Sequence, residues 1–260
     1  MKISATIITF NEAAKIADAL GSLAWADEVL VVDSHSTDQT REIAAELGAR
    51  VIERDWPGFA AQKQFATDAA ENDVIFSLDA DERVSAELVS EIIKIKESED
   101  LAFEGYTVPR LSIYMGREIR HGSWYPDRQL RLFDRRKAHW KQVVIHESVE
   151  MEPGARIGRL KHDIEHKSVE SIRDHAAMMN ERYATLGAQA MFDRGKRTSA
   201  MQIAFAGPIV FAKEFVLKAG FLDGVPGLTI ASLSAFHATL KHVMLYELQN
   251  ASKPFADEAK

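Results

Sequence analysis

Residues 74–82 read VIFSLDADE, and this stretch indicates the fold class. A β-branched and aromatic run that ends in Asp79, Asp81 and Glu82 predicts a buried strand with negative charge at its C-terminal end. In open α/β folds, ligands bind outside the carboxyl ends of the strands. Because Mg²⁺ binds through one or two carboxylates together with substrate phosphates, the Asp-X-Asp spacing suits a metal that holds a diphosphate. A solvated strand end before a helix capped by Ser85 would give the same pattern.

The first hundred residues alternate between strand and helix patterns. Strands are predicted at 3–9, 28–33, 50–53 and 74–78, and helices at 12–23, 38–47, 59–70 and 86–96. Strands that alternate with helices of about 10 to 13 residues predict βαβ crossovers and a mostly parallel, doubly wound sheet. This half therefore has the pattern of a nucleotide-binding α/β domain.

The pattern changes after Gly105. Shorter strands are predicted at 106–109, 111–115, 129–133 and 143–145, and helices at 169–192, 200–219 and 228–249. Two of the later stretches, 198–212 and 225–240, carry no formal charge. They are shorter than the roughly 20 residues that a spanning helix needs, so we expect buried or interfacial helices.

Charge is distributed unevenly along the 260 residues. Residues 1–104 contain 9 basic and 22 acidic side chains, whereas residues 105–218 contain 20 and 13. The acidic part should attract cations, and the basic part should face an anionic partner such as a phosphorylated lipid or sugar headgroup. A nucleic acid would also suit the basic part.

The chain contains no cysteine, which excludes disulfides, thiolate zinc sites and cysteine nucleophiles. The N-terminal apolar run is too short for a signal peptide, so we expect a cytoplasmic protein. The hydrophobic content of 46% suffices for one large domain, or for a domain with an extension.

Two further strand ends carry polar groups. Neither a GxGxxG run after the first strand nor a GxxxxGK[ST] run is present; instead the first strand runs into TFNE (9–12) and the second into VVDSHSTDQT (31–40). In a parallel sheet both segments lie on the same edge as the acidic cluster at 79–82. Helix capping by Asn11, Ser36 or Thr37 is the alternative explanation for each segment.

Together with GFAAQKQFATDAA (58–70), these motifs resemble, in order and spacing, the family-2 glycosyltransferases of the GT-A fold. The resemblance covers about residues 1–150. It implies an α/β, Rossmann-like GT-A catalytic domain over 1–154, with a nucleotide-sugar half at 1–104 and an acceptor half at 105–154. A helical C-terminal extension would follow at 155–260.

The resemblance also implies roles for residues of the donor site. Thr9, Asn11 and Glu12 would line the nucleotide pocket, Asp33 would contact the uracil, and Lys63 would approach the diphosphate. Asp79 and Asp81 would hold the ribose and a Mn²⁺ or Mg²⁺ ion, with Asp81 as the direct ligand and Asp79 as the alternative. The family's usual Asp-Asp-Gly run is replaced here by Asp33, Ser34 and His35, so the second acidic position is lost.

An inverting sugar transfer needs a base that deprotonates the acceptor hydroxyl, and a carboxylate suffices. In VVIHESVE (143–150) the preferred candidate is Glu147, next to His146 in a pair that resembles one in lipopolysaccharide core glucosyltransferases. Glu150 is the alternative base, and a structural role for both glutamates stays open. The metal would neutralise charge that develops on the leaving UDP.

The segment HGSWYPDRQLRLFDRR (121–136) resembles the acceptor-side motif of the same subgroup. Trp124 and Arg128 are its expected substrate contacts, since aromatic faces suit sugar rings and arginine forks suit phosphate. Arg128 and Arg131 could also lie on opposite sides of a strand, with one of them only solvated.

Two further features have alternative interpretations. His162 and His166 stand four residues apart in KHDIEHK, a spacing that aligns two metal ligands on a helix. The simpler explanation is that both are solvent-exposed polar residues that bind no metal. The segment from residue 220 to 249 resembles the end of the same subgroup, and its apolar stripe fits either core packing or docking at a membrane surface.

We therefore expect a metal-dependent, inverting transferase that moves a hexose, glucose, from a UDP-sugar to a glycolipid or phosphorylated saccharide such as lipopolysaccharide inner core. It would act in the cytoplasm, at the inner face of the membrane, without a nucleic-acid partner. The alternatives are a Mg²⁺-dependent phosphohydrolase and a non-catalytic module that binds nucleotide sugars or lipid surfaces.

Overall fold

The computed structural model describes residues 1–98, 101–141, 147–167, 169 and 171–251. The strand expected at 143–145 and His146 lie outside the described residues. The chain forms two compact units, the first made of residues 1–111 and 126–168 and the second of residues 112–125 and the chain from 169 onward.

The strands, in chain order, are β1 (Ile3–Thr9), β2 (Glu28–Asp33), β3 (Arg50–Glu53), β4 (Val74–Asp79), β5 (Glu82–Val84), β6 (Gly105–Tyr114), β7 (Arg117–Glu118), β8 (Asp127–Asp134), β9 (Ala138–Trp140), β10 (Val149–Met151), β11 (Ile157–Arg159) and β12 (Ile164–His166). The helices are α1 (Ile16–Gly21), α2 (Thr40–Glu46), α3 (Phe59–Ala69), α4 (Ala86–Lys96), α5 (Ile172–Ala177), α6 (Thr185–Asp193), α7 (Ala200–Phe211) and α8 (Gly224–Asn250).

The first unit is built on a sheet in the order β3-β2-β1-β4-β8-β6-β12-β5. β3, β2, β1 and β4 are mutually parallel, with Thr9 beside Asp33 and Ile8 beside Asp79. Their carboxyl ends therefore share one edge. β8 joins β4 in the antiparallel sense and brings the later part of the chain into the same sheet.

Continuous apolar sequence explains the central strands. Ile3, Ile7, Phe76 and Leu78 are almost completely buried, as expected where helices cover both faces of a parallel sheet. α4 has the predicted bounds, and the Ser85 hydroxyl accepts a hydrogen bond from the Leu88 amide at 3.2 Å, so it caps this helix. The expected α/β class and mostly parallel sheet are confirmed.

α1 and α2 begin later than the sequence pattern predicts. The residues before them form loops at the sheet edge, where side chains satisfy the backbone: the Glu12 amide donates to Thr40 Oγ1 at 2.8 Å, and the Ala13 amide donates to Asp38 Oδ2 at 3.1 Å. The acidic and hydroxyl side chains therefore organise loops instead of the first helical turns.

The C-terminal region is helical, but its helices begin at Ile172. Residues 155–167 contain β11, parallel to β6, and β12, antiparallel to β5. The expected helical extension from residue 155 is therefore corrected over these residues, which belong to the first unit.

In the second unit α7 continues through a π-helical segment, Ala212–Leu217, and a 3₁₀ turn, Gly220–Asp223, leads into α8. A capping box between Ser199 and Gln202 starts α7. A Cβ atom added at Gly207 would lie 2.5 Å from Thr239 Oγ1 and 3.1 Å from the Ala235 carbonyl oxygen. Glycine therefore allows α7 and α8 to approach closely.

Candidate active site

A cavity of about 820 Å³ opens at the carboxyl edge of β1 and β4 in the first unit. It gathers polar and aromatic side chains from segments that are far apart in the sequence. Its lining residues are Ile8, Thr9, Phe10, Glu12, Ser34, Trp56, Phe59, Lys63, Asp79, Ala80, Asp81, Glu147 and His166. The edge that the strand-end motifs predict is thus the wall of a single cavity.

Asp79 is held at this wall by two cations. Lys63 Nζ lies 2.8 Å from Asp79 Oδ1, and Arg131 donates to Asp79 Oδ2 at 2.9 Å. Burial by itself would raise the pKa of Asp79, but the charges of Arg131 and Lys63 outweigh it and hold the pKa well below its usual range. Asp79 is therefore a carboxylate with both oxygens engaged.

Arg131 connects Asp79 to a second buried carboxylate. It donates to Glu82 Oε1 at 2.6 Å, and Glu82 also accepts from Arg110 at 3.4 Å and from the Asp79 amide at 3.0 Å. Arg110 in turn pairs with Asp127. Burial disfavours the cation on Arg131, but the carboxylates of Asp79 and Glu82 outweigh burial and raise its pKa. We call Asp127, Arg110, Glu82, Arg131 and Asp79 the charge chain.

Asp81 and His166 lie next to each other in the cavity wall. His166 Nε2 lies 3.3 Å from Asp81 Oδ2, and the register of β12 against β5 places His166 beside Glu82. Burial would raise the pKa of Asp81, but the hydrogen bond and charge of His166 more than compensate, so the pKa is lowered. Asp81 thus differs from Asp79 in having an imidazole as its partner.

The donor set at Asp81 and His166 fits a divalent cation. Among the residues that the structure describes, no group of three or more His, Cys, Asp or Glu side chains could hold a metal. Two protein ligands are nevertheless enough where substrate phosphates complete the coordination. His166 Nδ1 is buried and has no hydrogen-bond partner in the part of the chain that the structure describes, which leaves the ring with unused polar capacity. Asp79 fits less well, because Lys63 and Arg131 already bind its oxygens.

Glu147 also lines the cavity, and its Oε1 lies 3.3 Å from Lys63 Nζ. Lys63 therefore bridges Asp79 and Glu147, and its ammonium group also lies 5.0 Å from the Trp140 ring centroid. Glu150 lies instead on β10, where it is exposed and pairs with His139 and Lys141. This placement favours Glu147 over Glu150 as the base.

The three polar residues of TFNE, Thr9, Asn11 and Glu12, have different environments. Thr9 lines the cavity, and its Oγ1 is buried without a hydrogen-bond partner among the described residues, whereas Glu12 lines the cavity and pairs with Lys15 at 3.3 Å. Asn11 has a positive φ of 56° and accepts from the Thr37 amide at 2.8 Å. Asn11 therefore ties the loop after β1 to the loop after β2.

The family model described as "Glycosyl transferase family 2" matches residues 4–153. The chain belongs to glycosyltransferase family 2. An uncharacterized glycosyltransferase of Rickettsia bellii is 35% identical over 97% of this chain and 89% of its own length. The lipopolysaccharide core biosynthesis glycosyltransferase LpsC of Rhizobium meliloti is 28% identical over 100% of this chain and 97% of its own.

Solved structures provide a weaker likeness. A crystal structure of S. aureus TarS residues 1–349 with UDP matches with a TM-score of 0.49 at 14% identity, over 98% of this chain and 93% of that one. Family membership, together with the order and direction of the strands, confirms the expected GT-A fold.

The replaced Asp-Asp-Gly run of the transferase has a structural explanation. His35 has φ of 61°, in the left-handed region that glycine adopts without strain. The two nitrogens of its ring form hydrogen bonds with Asp55 Oδ1 at 2.9 Å and Glu53 Oε2 at 3.4 Å, which help to hold the residue in this conformation. Ser34 lines the cavity and accepts from Gln62 Nε2 at 3.1 Å, so this position keeps a polar group.

Asp33, expected to contact uracil, is completely buried and is not among the residues that line the cavity. Its Oδ1 accepts from the Ser36 amide at 2.7 Å, and the Ser36 hydroxyl binds the other oxygen. In this structure Asp33 therefore shapes the loop after β2.

The two expected acceptor contacts, Arg128 and Trp124, are not among the residues that line this cavity. Arg128 is exposed and donates to the Leu160 carbonyl oxygen at 3.0 Å. Trp124 belongs to the second unit, where its ring packs 5.4 Å from Tyr114 and 5.3 Å from His175.

Arg131, unlike Arg128, contacts Asp79 of the cavity wall, and it lies in a β-bulge. Leu132 pairs with Tyr106 and Leu130 with Thr107, so Arg131 is the extra residue of β8. A bulge re-aims the side chain of the extra residue. The alternative that the two arginines differ, one buried in the site and one solvated, fits this geometry.

The histidine pair and two aromatic residues of the cavity wall differ from the expectations that the sequence gives. The pair His162 and His166 does not lie on a helix: His162 is exposed before β12, and only His166 reaches the cavity.

Trp56 and Phe59 form an edge-to-face pair at 4.7 Å on the cavity wall, and both are partly exposed. The run WPGF (56–59) carried a signal for them, since Pro-Gly is a turn-forming pair and stands between two large aromatic residues.

Proposed function

We propose that this family-2 transferase moves a hexose, glucose, with inversion from a UDP-sugar to a glycolipid acceptor of the lipopolysaccharide inner-core type. One observation carries the proposal: a single cavity brings together Thr9, Lys63, Asp81 and Glu147 from four separate motifs. Each has chemistry that suits one part of such a reaction. Family membership leaves the phosphohydrolase alternative without support.

The cavity suits a nucleotide diphosphate donor. Trp56 and Phe59 offer aromatic surface for a flat base, and Thr9 Oγ1 is a buried hydroxyl whose hydrogen-bonding capacity is unused. Lys63 offers an ammonium group for the diphosphate. A volume of about 820 Å³ lies within the usual range for ligand cavities.

Asp81 and His166 are the residues that would hold a Mn²⁺ or Mg²⁺ ion. Such an ion neutralises negative charge on a diphosphate leaving group. The charge chain beneath the cavity keeps the backbone of the Asp79–Glu82 turn in place, because Glu82 binds the Asp79 amide and Arg131 together. The turn therefore presents Asp81 from a rigid base.

Glu147 is the proposed general base. Its carboxylate would accept the proton of the acceptor hydroxyl while that oxygen forms a bond to the anomeric carbon and the bond to UDP breaks. Lys63, 3.3 Å from Glu147, would compete with the acceptor for this carboxylate. A bound diphosphate offers Lys63 a stronger anionic partner, so donor binding would release Glu147 for catalysis.

The acceptor class rests on likeness to LpsC, which is named for lipopolysaccharide core biosynthesis and matches along the whole chain. The peripheral location expected from the sequence fits an acceptor that is anchored in a membrane.

A thermal-shift panel of UDP-, GDP- and dTDP-sugars, each with and without Mn²⁺ or Mg²⁺, tests the donor and the metal. We expect stabilisation by UDP-glucose that grows with the metal, because a ligand that binds only the folded state raises its stability. A larger shift with another nucleotide would replace the UDP assignment, and equal shifts with and without metal would contradict metal-assisted donor binding.

Transfer itself is tested with UDP-glucose and a truncated lipopolysaccharide core, followed by NMR of the anomeric proton in the product. We expect a β-linked product from the α-linked donor. An α-linked product would overturn the inverting mechanism, and binding of donor without transfer to any acceptor of a core panel would support the non-catalytic module instead.

A further inference from the structure

The helix formed by α7 and its π-helical continuation carries an exposed apolar stripe. Met201, Phe205, Ile209, Val216 and Leu217 are exposed to between 51% and 81%. The first three recur every four residues, so they lie along one side of the helix. We call these five residues the apolar face. Monomeric soluble proteins rarely expose large contiguous apolar patches, and such patches mark interaction sites.

The other side of the same helix is packed and polar groups there are satisfied. Gly207 lies against α8, close to Thr239 and Ala235. Glu214 is buried and accepts hydrogen bonds from the Ser123 amide at 2.7 Å and the Ser123 hydroxyl at 2.6 Å. The apolar face is therefore surplus to the core of the second unit.

Length and composition make this helix distinctive. In the described part of the chain, Ala200–Leu217 is the one helix long and apolar enough to cross a membrane by those criteria, with a mean hydropathy of 1.4 and only 11% of it buried. Exposed apolar side chains continue at Phe221 and Leu222 in the following turn and at Val225 at the start of α8.

Basic residues flank the apolar face at both ends. Arg194, Lys196 and Arg197 precede α7 and are exposed, and Lys213 is exposed near its other end. Lys218 follows and lies 3.5 Å from Glu214. Of the two acidic residues between 193 and 218, Glu214 is buried, so the solvent-facing charge is mainly positive.

We propose that the apolar face docks onto the surface of an anionic phospholipid bilayer, with the helix lying in the plane of the headgroups. An apolar stripe with lysine and arginine at its margins is the pattern of interfacial helices. Anionic headgroups attract basic residues near the surface and complement both ends of the stripe. This proposal does not depend on the sugar or acceptor of the transfer reaction.

The packing of the helix favours docking over insertion across the bilayer. A spanning helix would have to separate Gly207 from α8 and Glu214 from Ser123, which leaves a buried carboxylate without its hydrogen bonds. Lying in the interface preserves both contacts.

Charge also favours a bilayer over a second copy of the chain. If two apolar faces packed together in either direction, the basic segment 194–197 of one copy would meet the same segment or the Lys213 end of the other. Both arrangements bring like charges together at low dielectric, which is unfavourable.

Flotation of the purified full-length chain with vesicles tests the proposal. One set of vesicles contains phosphatidylcholine alone, and the other adds about 30 mol% phosphatidylglycerol. We expect the chain to float with the anionic set, and the apparent affinity of Phe205→Ser/Ile209→Ser/Leu217→Ser to fall at least about tenfold.

The matched control is Leu47→Ser/Ile93→Ser, which replaces two exposed apolar residues of the first unit. It should float like the wild type. A second variant, Lys196→Glu/Arg197→Glu, leaves every helix residue intact and should also weaken flotation with anionic vesicles, which keeps the test valid if the triple variant does not fold.

Several outcomes would overturn the proposal. They are absence of the wild type from the floated fraction, equal flotation of wild type and both test variants, and equal loss in the control. Resistance of the bound chain to alkaline carbonate would show a spanning helix instead. A wild-type dimer that the triple variant converts to monomer, with flotation unchanged, would assign the apolar face to a second copy.

Discussion

The cavity of the first unit and the apolar face of the second unit both depart from the usual pattern of buried apolar and exposed charged residues. They depart from it in opposite ways. Beneath the cavity, Glu82 and Arg131 are buried although charged. On the apolar face, Ile209 and Leu217 are exposed although apolar. Charged residues are almost never fully buried unless they are paired, and apolar residues usually fill the core.

The difference between the two regions lies in how each is satisfied within the chain. Every member of the charge chain has partners of opposite charge at hydrogen-bond distance, so the cavity is organised before any ligand arrives. Among the described residues, no apolar partners cover the exposed side of the apolar face. The first region therefore prepares chemistry, and the second offers a surface.

The largest effect is expected at the residue that the charge chain presents to the cavity. Asp81→Asn should lower turnover by about 10⁴-fold, because the proposed metal loses its carboxylate ligand and the diphosphate loses its charge neutralisation. Initial rates with UDP-glucose and Mn²⁺ measure this. Asp68→Asn, an exposed carboxylate on α3, is the control. Turnover within twofold of wild type would remove Asp81 from the site.

Glu147→Gln should lower turnover by about 10² to 10⁴-fold, since an amide cannot accept the acceptor proton. Donor affinity, measured by calorimetry with UDP, should not fall, because Glu147 is not proposed to bind the donor and only competes with its diphosphate for Lys63. Glu150→Gln is the matched control. If Glu147→Gln keeps full transfer activity, the base assignment is wrong.

Arg131→Met tests the charge chain itself. It leaves Glu82 with Arg110 and Asp79 with Lys63 as their remaining cationic partners, so the free energy of unfolding should fall by up to about 3 to 5 kcal/mol. Urea denaturation measures the change. Arg128→Met, the exposed arginine of the same strand, should cost less than about 0.5 kcal/mol. Equal costs for the two variants would show that the bulge gives Arg131 no special structural role.

The pH dependence of stability should separate the two units further. Buried carboxylates of the first unit are kept charged, whereas burial lowers the pKa of His175 in the second unit and keeps its ring neutral. Protonation of His175 is therefore harder in the folded chain than in the unfolded chain, whose histidine has an ordinary pKa near 6.5. Its contribution favours folding above that pH, and stability falls as pH drops below it.

The test is the slope of unfolding free energy against pH between about 7 and 5. His175→Gln should flatten this slope but not remove it, since burial also lowers the pKa of His237 and His242. An unaltered slope in His175→Gln would contradict the proposed neutrality of this ring.

The smallest effect is expected on the apolar face. Ile209→Ser should change the free energy of unfolding in solution by less than about 0.5 kcal/mol, because the side chain is already exposed. Leu245→Ala, at a fully buried position of α8, should cost about 2 to 5 kcal/mol. A large cost for Ile209→Ser would mean that the apolar face is covered in the free chain.

The sequence alone predicted the local elements that depend on short-range pattern. Apolar strands that end in carboxylates, and a helix with Ser85 before it, have signals within a few residues, and these appear in the structure at β4 and α4. The grouping of Thr9, Lys63, Asp79 and Asp81 could also be anticipated, because the carboxyl ends of parallel strands meet at one edge.

Tertiary structure decided what depends on long-range register. The bulge at Arg131, the pairing of β12 with β5 that brings His166 to Asp81, and the contacts of His35 with Glu53 and Asp55 all join residues between 18 and 85 positions apart. The periodicity of apolar residues in the sequence does not show which distant strands pair or in what register. Register matters because a slip of one residue turns every side chain of a strand to the other face of the sheet. The sequence thus determined that a charged edge would exist, and only the folded register determined which of its charges face each other.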